Sequence, residues 1–283
     1  MRTLPLPAIN PADLLAACVG GVGDGLAAAR LNSATPTLLA TSVLFHARAA
    51  AHTLDTIPRV ATAGAGGATK ADLEGLYRDQ MSKARGAARR YYDLIRNGTE
   101  HGKCPLCGVG MVRTLDHHLP KSQYPDLSVC PYNLVPACDF CQAGKLARFP
   151  ANPGEQTLHP YYDDYGAHQW IFATLDVAGP PALVFRADPP PGWAPVDQQR
   201  VTRHFSLFRL GHVYTSNAND DLGPLRSRLE QLDAAGGAAT IQAYLVDERD
   251  RWANRLNSWQ HIAYQTLAAD AGFVNGGYLN IPV

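Results

Sequence analysis

The sequence predicts an α+β protein, predominantly helical, in which a small zinc-stapled finger of hairpin and helix lies between two helical regions. Three observations carry that expectation. Two CxxC pairs, Cys104-Pro-Leu-Cys107 and Cys138-Asp-Phe-Cys141, bracket a run of strand and turn patterns. Apolar residues recur at helical spacing on both sides of that run. Short strand-like segments are confined to residues 111–116 and 170–186.

Composition sets the outer bounds. At 283 residues with 46% apolar content, the chain can build one large core or two to three small ones. Twenty-five basic residues match 25 acidic ones, so any nucleic-acid surface must be a local patch. Four of the six cysteines fall in the CxxC pairs, which points to metal ligation and away from a disulfide framework. Cys18 and Cys130 stand outside the pairs and read as small buried hydrophobes. The opening MRTLPLPAINPAD lacks the unbroken apolar core of a signal peptide. The segment 36–45 is too short to span a bilayer. A soluble protein of a reducing cytoplasm, with no membrane partner, is expected.

The N-terminal region, residues 1–98, reads as helical. Leu14, Leu15, Cys18, Val22, Leu26 and Leu31 suggest a helix over 12–31, weakened by Gly20-Gly21. Leu38, Leu39, Val43, Leu44 and Ala47 suggest a second over 34–54, on which His46 and His52 read as ordinary histidines. ATAGAGGA at 61–68 is a small-residue linker. A long amphipathic basic helix follows, with Thr69 as N-cap and Asn97-Gly98 as its stop. Its stripe is Leu73, Leu76, Tyr77, Met81, Ala84, Ala88, Tyr91, Leu94 and Ile95. Lys83, Arg85, Arg89, Arg90 and Arg96 crowd its second half. They form either a solvated face or, since the run leads into the cysteine region, phosphate contacts.

Residues 99–165 form the finger. Thirty residues separate Cys107 from Cys138, longer than in a common zinc ribbon, so something is inserted between the knuckles. Four thiolates would complete a tetrahedral structural zinc site, and Gly108 permits the tight turn of the first knuckle. In the insertion, Met111 to Asp116 alternates as a strand and Pro120 ends it. Asn133 sits in a turn bounded by Pro131 and Pro136, and residues 137–149 read as a helix.

Residues 166–283 form a C-terminal region of short strands, then helices. Strands are expected over 170–175 and 182–186, with the 178–181 turn between them. Helices are expected over 224–233 and 239–256, parted by Gly236-Gly237, and a last helix over 258–269.

At the finger the sequence resembles the HNH endonucleases, whose site is a ββα-metal finger. Their Asp-His-x-x-Pro pattern is met by Asp116-His117-His118-Leu119-Pro120. Their Asn-Leu-x-Pro-x-Cys-x-x-Cys segment is met by residues 133–141, and the following lysine by Lys145. The HPYY segment at His159 and Asn257-Ser-Trp-Gln also look like features of longer HNH proteins.

The resemblance implies a phosphodiester hydrolase acting on DNA, with RNA left open, that leaves 3′-hydroxyl and 5′-phosphate ends. His117 would be the general base. Asp116 would ligate one Mg²⁺ or Mn²⁺ ion. Asn133 would brace the loop and hydrogen-bond His117. The chain departs from the family at Gln142, where an Asn or His usually supplies the last ligand. The extra methylene moves its amide by about 1.5 Å, and His159 is a second candidate if the HPYY turn folds back. On an ideal strand Asp116 and His118 share a face and His117 does not. The strand must distort there for Asp116 and His117 to converge, and the family register selects His117. Lys121 and Lys145, with Arg89 and Arg90, are the phosphate-contact candidates. By analogy, the helical flanks suggest a nuclease effector of bacterial anti-phage defence with an ATPase partner. The rival reading is a non-catalytic zinc module that binds nucleic acid or protein.

Overall fold

Gly20 and Gly21 stop the first helix where apolar periodicity alone would carry it on. Helix α1 spans Pro11–Gly20, started by the Asn10 side chain accepting from the Ala12 amide. At Gly21 a Cβ would lie 2.3 Å from Oε1 of Gln80, so the close approach demands glycine. Helix α2 spans Gly25–Ala50, with the Asp24 carboxylate accepting from the amides of Leu26 and Ala27. The break expected near residues 32–33 thus lies at 21–24. These coordinates come from a computed structural model that describes residues 1–59 and 67–282. Of the linker at 61–68, all but Gly67 and Ala68 fall outside the described residues.

The long basic helix expected over 69–97 is broken in two. Helix α3 (Lys70–Gly75) opens with a capping box, Thr69 and Asp72 each bonding the other's backbone amide. Leu76–Met81 continue as a π-helical turn, and helix α4 spans Arg89–Asn97. Between them the Ala88 amide donates to the Gln80 carbonyl at 2.9 Å. That return brings the backbone so close that a Cβ at Gly86 would sit 2.2 Å from the Gln80 oxygen. The apolar stripe survives the break. Leu73, Leu76, Tyr77, Met81, Ala88, Tyr91 and Ile95 are all buried, while Ala84 and Leu94 are exposed.

The finger follows in the same unit. Strands β1 (Thr114–His117) and β2 (Leu134–Ala137) pair antiparallel, from Thr114 opposite Ala137 to His117 opposite Leu134. Helix α5 (Asp139–Lys145) comes next. It is shorter than the 137–149 helix expected, because Leu146 turns to φ 50° and leaves the helical path. Met111 lies outside β1, in an isolated bridge to Lys103. The finger shares its core with the helices before it. Leu115 and Leu134 join a cluster with Leu14, Leu31, Leu73, Met81 and Ile95, and Leu119 joins a second with Phe45, Leu54, Tyr124 and Leu127. Accordingly, the chain divides into two compact units, Arg2–Asp163 and Asp164–Val283. The regions read as 1–98 and 99–165 fall together in the first, up to Asp163.

The second unit holds strands β3 (Ile171–Asp176) and β4 (Ala182–Ala187), an antiparallel hairpin close to the expected strands. Helices α6 (Pro195–Leu207), α7 (Leu210–Asp250), α8 (Trp259–Ala269) and α9 (Ala271–Val274) follow. Helix α7 starts well before the expected residue 224, since Leu210, Tyr214, Ala218 and Leu222 are buried at intervals of four through a polar stretch. It runs across Gly236-Gly237 with a kink where Gly237 takes φ 70°. Asn257 is a brace: its side-chain oxygen accepts from the amides of Trp170 and Ile171, and its amide donates to the His168 carbonyl. The fold is therefore predominantly helical α+β, with two small two-stranded sheets. Among the described residues no helix is long and apolar enough to cross a membrane.

Candidate active site and metal centre

Buried polar groups cost free energy unless they are satisfied, so their placement shows where a fold gives up stability for another purpose. Eleven of the 15 buried polar or charged side chains among the described residues belong to the first unit. Seven of these lie between Asp116 and His159.

The cysteines meet as their spacing predicts. One ligand sulfur from each of Cys104, Cys107, Cys138 and Cys141 lies within 4.8 Å of the others, and all four residues are buried. The first knuckle closes through the Cys104 amide to the Gly110 carbonyl and the Gly108 amide to the Cys104 carbonyl, both 2.7 Å. Gly108 takes φ 74° there. Gly110 is equally constrained, because a Cβ on it would lie 2.7 Å from the Cys138 sulfur. Cys138 caps α5 and Cys141 lies within it. Sulfurs about 2.3 Å from a zinc ion stand about 3.8 Å apart in a tetrahedron. The sulfurs of Cys107 and Cys138 are 3.9 Å apart. Shared hydrogens pull the Cys107 thiol down, chiefly through Cys104, and push the Cys141 thiol up. Four buried sulfurs in this arrangement could hold a metal such as zinc.

At its other end the hairpin carries oxygen and nitrogen donors. Asp116, His117 and His118 are 6%, 7% and 4% exposed. Asp116 Oδ2 lies 2.9 Å from Lys145 Nζ. Burial raises the Asp116 carboxyl, and the Lys145 ammonium opposes that shift. The β1 ladder stays regular through His117, so the side chains alternate. The His117 ring packs edge-on against Tyr77 at 4.4 Å, and His118 packs on His159 at 4.3 Å. The distortion expected to bring His117 round to Asp116 is not there.

His117 Nε2 lies 2.8 Å from the Ser128 carbonyl. A carbonyl only accepts, so Nε2 carries the hydrogen and Nδ1 keeps its lone pair in the neutral ring. Burial pushes the ring's pKa down to about 3, so it is neutral at physiological pH. Asn133 is fully buried and braces the loop as expected. Its side-chain oxygen accepts from the Leu119 amide at 2.7 Å, and its amide donates to the carbonyls of Leu119 and Leu127 at 3.0 and 3.2 Å. The bond to His117 expected of Asn133 comes instead from Ser128, next to the carbonyl that Asn133 holds.

The HPYY turn folds back onto the finger. The Tyr161 hydroxyl donates to the Leu134 carbonyl of β2 at 2.9 Å, and His159, fully buried, meets His118. The His159 amide donates to Asp163 Oδ2 at 2.6 Å, and Asp163 Oδ1 lies 3.1 Å from His52 Nδ1. His46 Nδ1 lies 2.8 Å from the Tyr162 hydroxyl. His46 and His52 thus engage this turn through a hydroxyl and a carboxylate. Gln142 is half-buried on α5, one turn before Lys145.

The phosphate-contact candidates separate sharply. Lys145 is 3% exposed and donates to the His117 carbonyl at 2.5 Å as well as pairing with Asp116. Arg89 pairs with Asp93 at 2.9 Å and lies over the Tyr92 ring, and Arg90 lies over the Tyr91 ring. Lys121 stays half-exposed, near enough to His117 to help lower its pKa. The sequence did carry a signal for Lys145. It stands four residues after Cys141 on a helix, so the two share a face, and a metal-ligand cysteine faces inward. Ser128 gave none, because it acts through its backbone.

The chain is similar to protein ea31 of Escherichia phage lambda, with 29% identity over 298 aligned positions that cover 98% of this chain and 100% of that protein. No family profile and no solved structure matches the chain.

Proposed function

We propose that the protein is a metal-dependent endonuclease of the HNH type that hydrolyses phosphodiester bonds of DNA. The observation that supports it most is a neutral imidazole, His117, anchored by a carbonyl and next in sequence to the buried Asp116 carboxylate at the end of β1. They stand in a hairpin-and-helix whose other end gathers four cysteines. A purely structural zinc module has no use for a buried carboxylate and imidazole at successive positions.

In this reading His117 Nδ1 takes a proton from the attacking water while Ser128 holds the ring's orientation. Asn133 fixes the loop from Leu119 to Leu127 and so fixes the Ser128 carbonyl. A hard divalent cation, Mg²⁺ or Mn²⁺, would be held by Asp116 with Gln142 or His159 and would offset charge developing on the phosphate. The cysteines hold zinc and keep the hairpin in register. Lys121, half-exposed beside the finger's strand end, would meet a phosphate.

Plasmid nicking with Mg²⁺ or Mn²⁺ tests this. Wild type is expected to cut and His117→Ala to lose cutting, whereas failure of wild type on every DNA and RNA across metals overturns the proposal. The second reading, a zinc module that binds nucleic acid or a protein without cutting, is favoured by the Lys145 ammonium lying on Asp116. Binding of nucleic acid with no cleavage would establish it. A place in cytoplasmic anti-phage defence beside an ATPase is a wider proposal that rests on resemblance alone. Co-purification of a neighbour-encoded ATPase supports it, and full activity of the chain by itself counts against it.

A further inference from the structure

Lys145 stands where a phosphate-contact lysine was expected, yet it faces inward. Its ammonium lies 2.9 Å from Asp116 Oδ2 and 2.5 Å from the His117 carbonyl, and both side chains are buried, Lys145 at 3% and Asp116 at 6% exposure. A lysine is rarely buried without a partner, and here the partner is the one carboxylate assigned to the catalytic cation. Two cations cannot both contact that oxygen in a buried site. Like charges in contact with one oxygen repel, and a divalent ion doubles the charge. A hard cation also coordinates carboxylate oxygen directly at about 2.0–2.6 Å and so competes with the ammonium for the Asp116 carboxylate.

We propose that Lys145 is a built-in counter-cation of Asp116, a positioning residue that a divalent cation must displace before it binds. In the cation-free state the ammonium holds the carboxylate in place and ties the end of β1 to the last turn of α5. Lys145 is the last residue of the helix, and Leu146 after it turns to φ 50°. On displacement the ammonium leaves the Asp116 carboxylate and becomes accessible to solvent. The exchange rests on Asp116 as cation ligand, as argued above. It makes cation affinity depend on a lysine that is not itself a ligand.

The test is Mn²⁺ binding, followed by electron paramagnetic resonance on the zinc-loaded full chain. Lys145→Met is expected to bind Mn²⁺ about tenfold tighter than wild type or better, about 1.4 kcal/mol, and Asp116→Asn to abolish binding in both backgrounds. Unchanged or weaker binding by a folded Lys145→Met overturns the exchange. Because that variant leaves a buried carboxylate unpaired and could unfold, a second measurement uses wild type alone. Reductive methylation of Lys145, read by mass spectrometry, is expected to be slow without Mn²⁺ and to accelerate several-fold with it. Protection that Mn²⁺ does not change overturns the proposal. Neither readout involves cleavage, so a wild type that exchanges Lys145 for Mn²⁺ but cuts nothing would keep this inference and sink the nuclease reading.

Discussion

At the Thr114–Ala137 end of the finger's hairpin, four sulfurs crowd within 4.8 Å, and the Gly110 amide donates to that of Cys107 at 3.3 Å. At the His117–Leu134 end, Asp116 has the chain's own ammonium at 2.9 Å. The first site could take a cation such as zinc from outside on its four sulfurs, whereas the second already has an ammonium of the chain on its carboxylate. The difference teaches what each end is for. A cluster of soft donors that takes up a structural ion couples ion binding to folding. A carboxylate with a replaceable partner can exchange one cation for another and keep its fold.

The largest expected effect comes from breaking the sulfur end. Chelation of zinc, or Cys138→Ser, should unfold the finger. Structural zinc contributes about 10–16 kcal/mol in small zinc domains, comparable to the whole stability of a domain. Loss of near-ultraviolet circular dichroism, with metal content falling from about one zinc per chain, would show it, and a chelated protein with an unchanged melt would contradict it. At the oxygen end, His117→Ala should lower cleavage by about 10²–10⁴-fold and leave zinc content unchanged. Equal loss of zinc would mean that the two ends are not separable.

Asn133→Ala tests the brace between them. It removes three buried hydrogen bonds and should cost about 2–4 kcal/mol in denaturant unfolding. A cost within error of zero would show that the loop from Leu119 to Leu127 is held by other contacts.

The smallest effect is expected at a more exposed ion pair in the same unit, between Arg30 and Asp72 at 2.9 Å. The hydrogen bond from Arg30 holds the Asp72 carboxyl down at about 2, against an ordinary value of 3.8. Its contribution is fully present above the ordinary value and is lost as pH falls through about 2. Asp72→Asn should therefore cost about 1 kcal/mol at neutral pH and almost nothing in strong acid, as read by thermal melts at the two pH values. A neutral-pH cost as large as that of Asn133→Ala would remove the contrast between surface and buried polar groups.

Much of the site was legible because it is local in sequence. The CxxC spacing fixes two sulfurs per knuckle, and the finger's Pro-bounded turns and alternating strand fix a hairpin. The faces of Asp116-His117-His118 follow period two in the structure, although the resemblance implied a distortion there. The apolar stripe of 73–95 was legible for the same reason. Its continuity as one helix was not, because the break depends on the Gln80 carbonyl returning against Gly86, a contact between backbone atoms.

The sequence by itself determined the donor sets, the order of the elements and the face each strand residue presents, since these follow from residue chemistry and backbone periodicity. Only the tertiary structure decided which partners those residues meet. It brought His159 to His118, Ser128 to His117, and the Lys145 ammonium to Asp116. The reason is physical: a buried charge or imidazole must be satisfied by whichever group the packed chain brings within about 3 Å, and that group can lie anywhere along the chain.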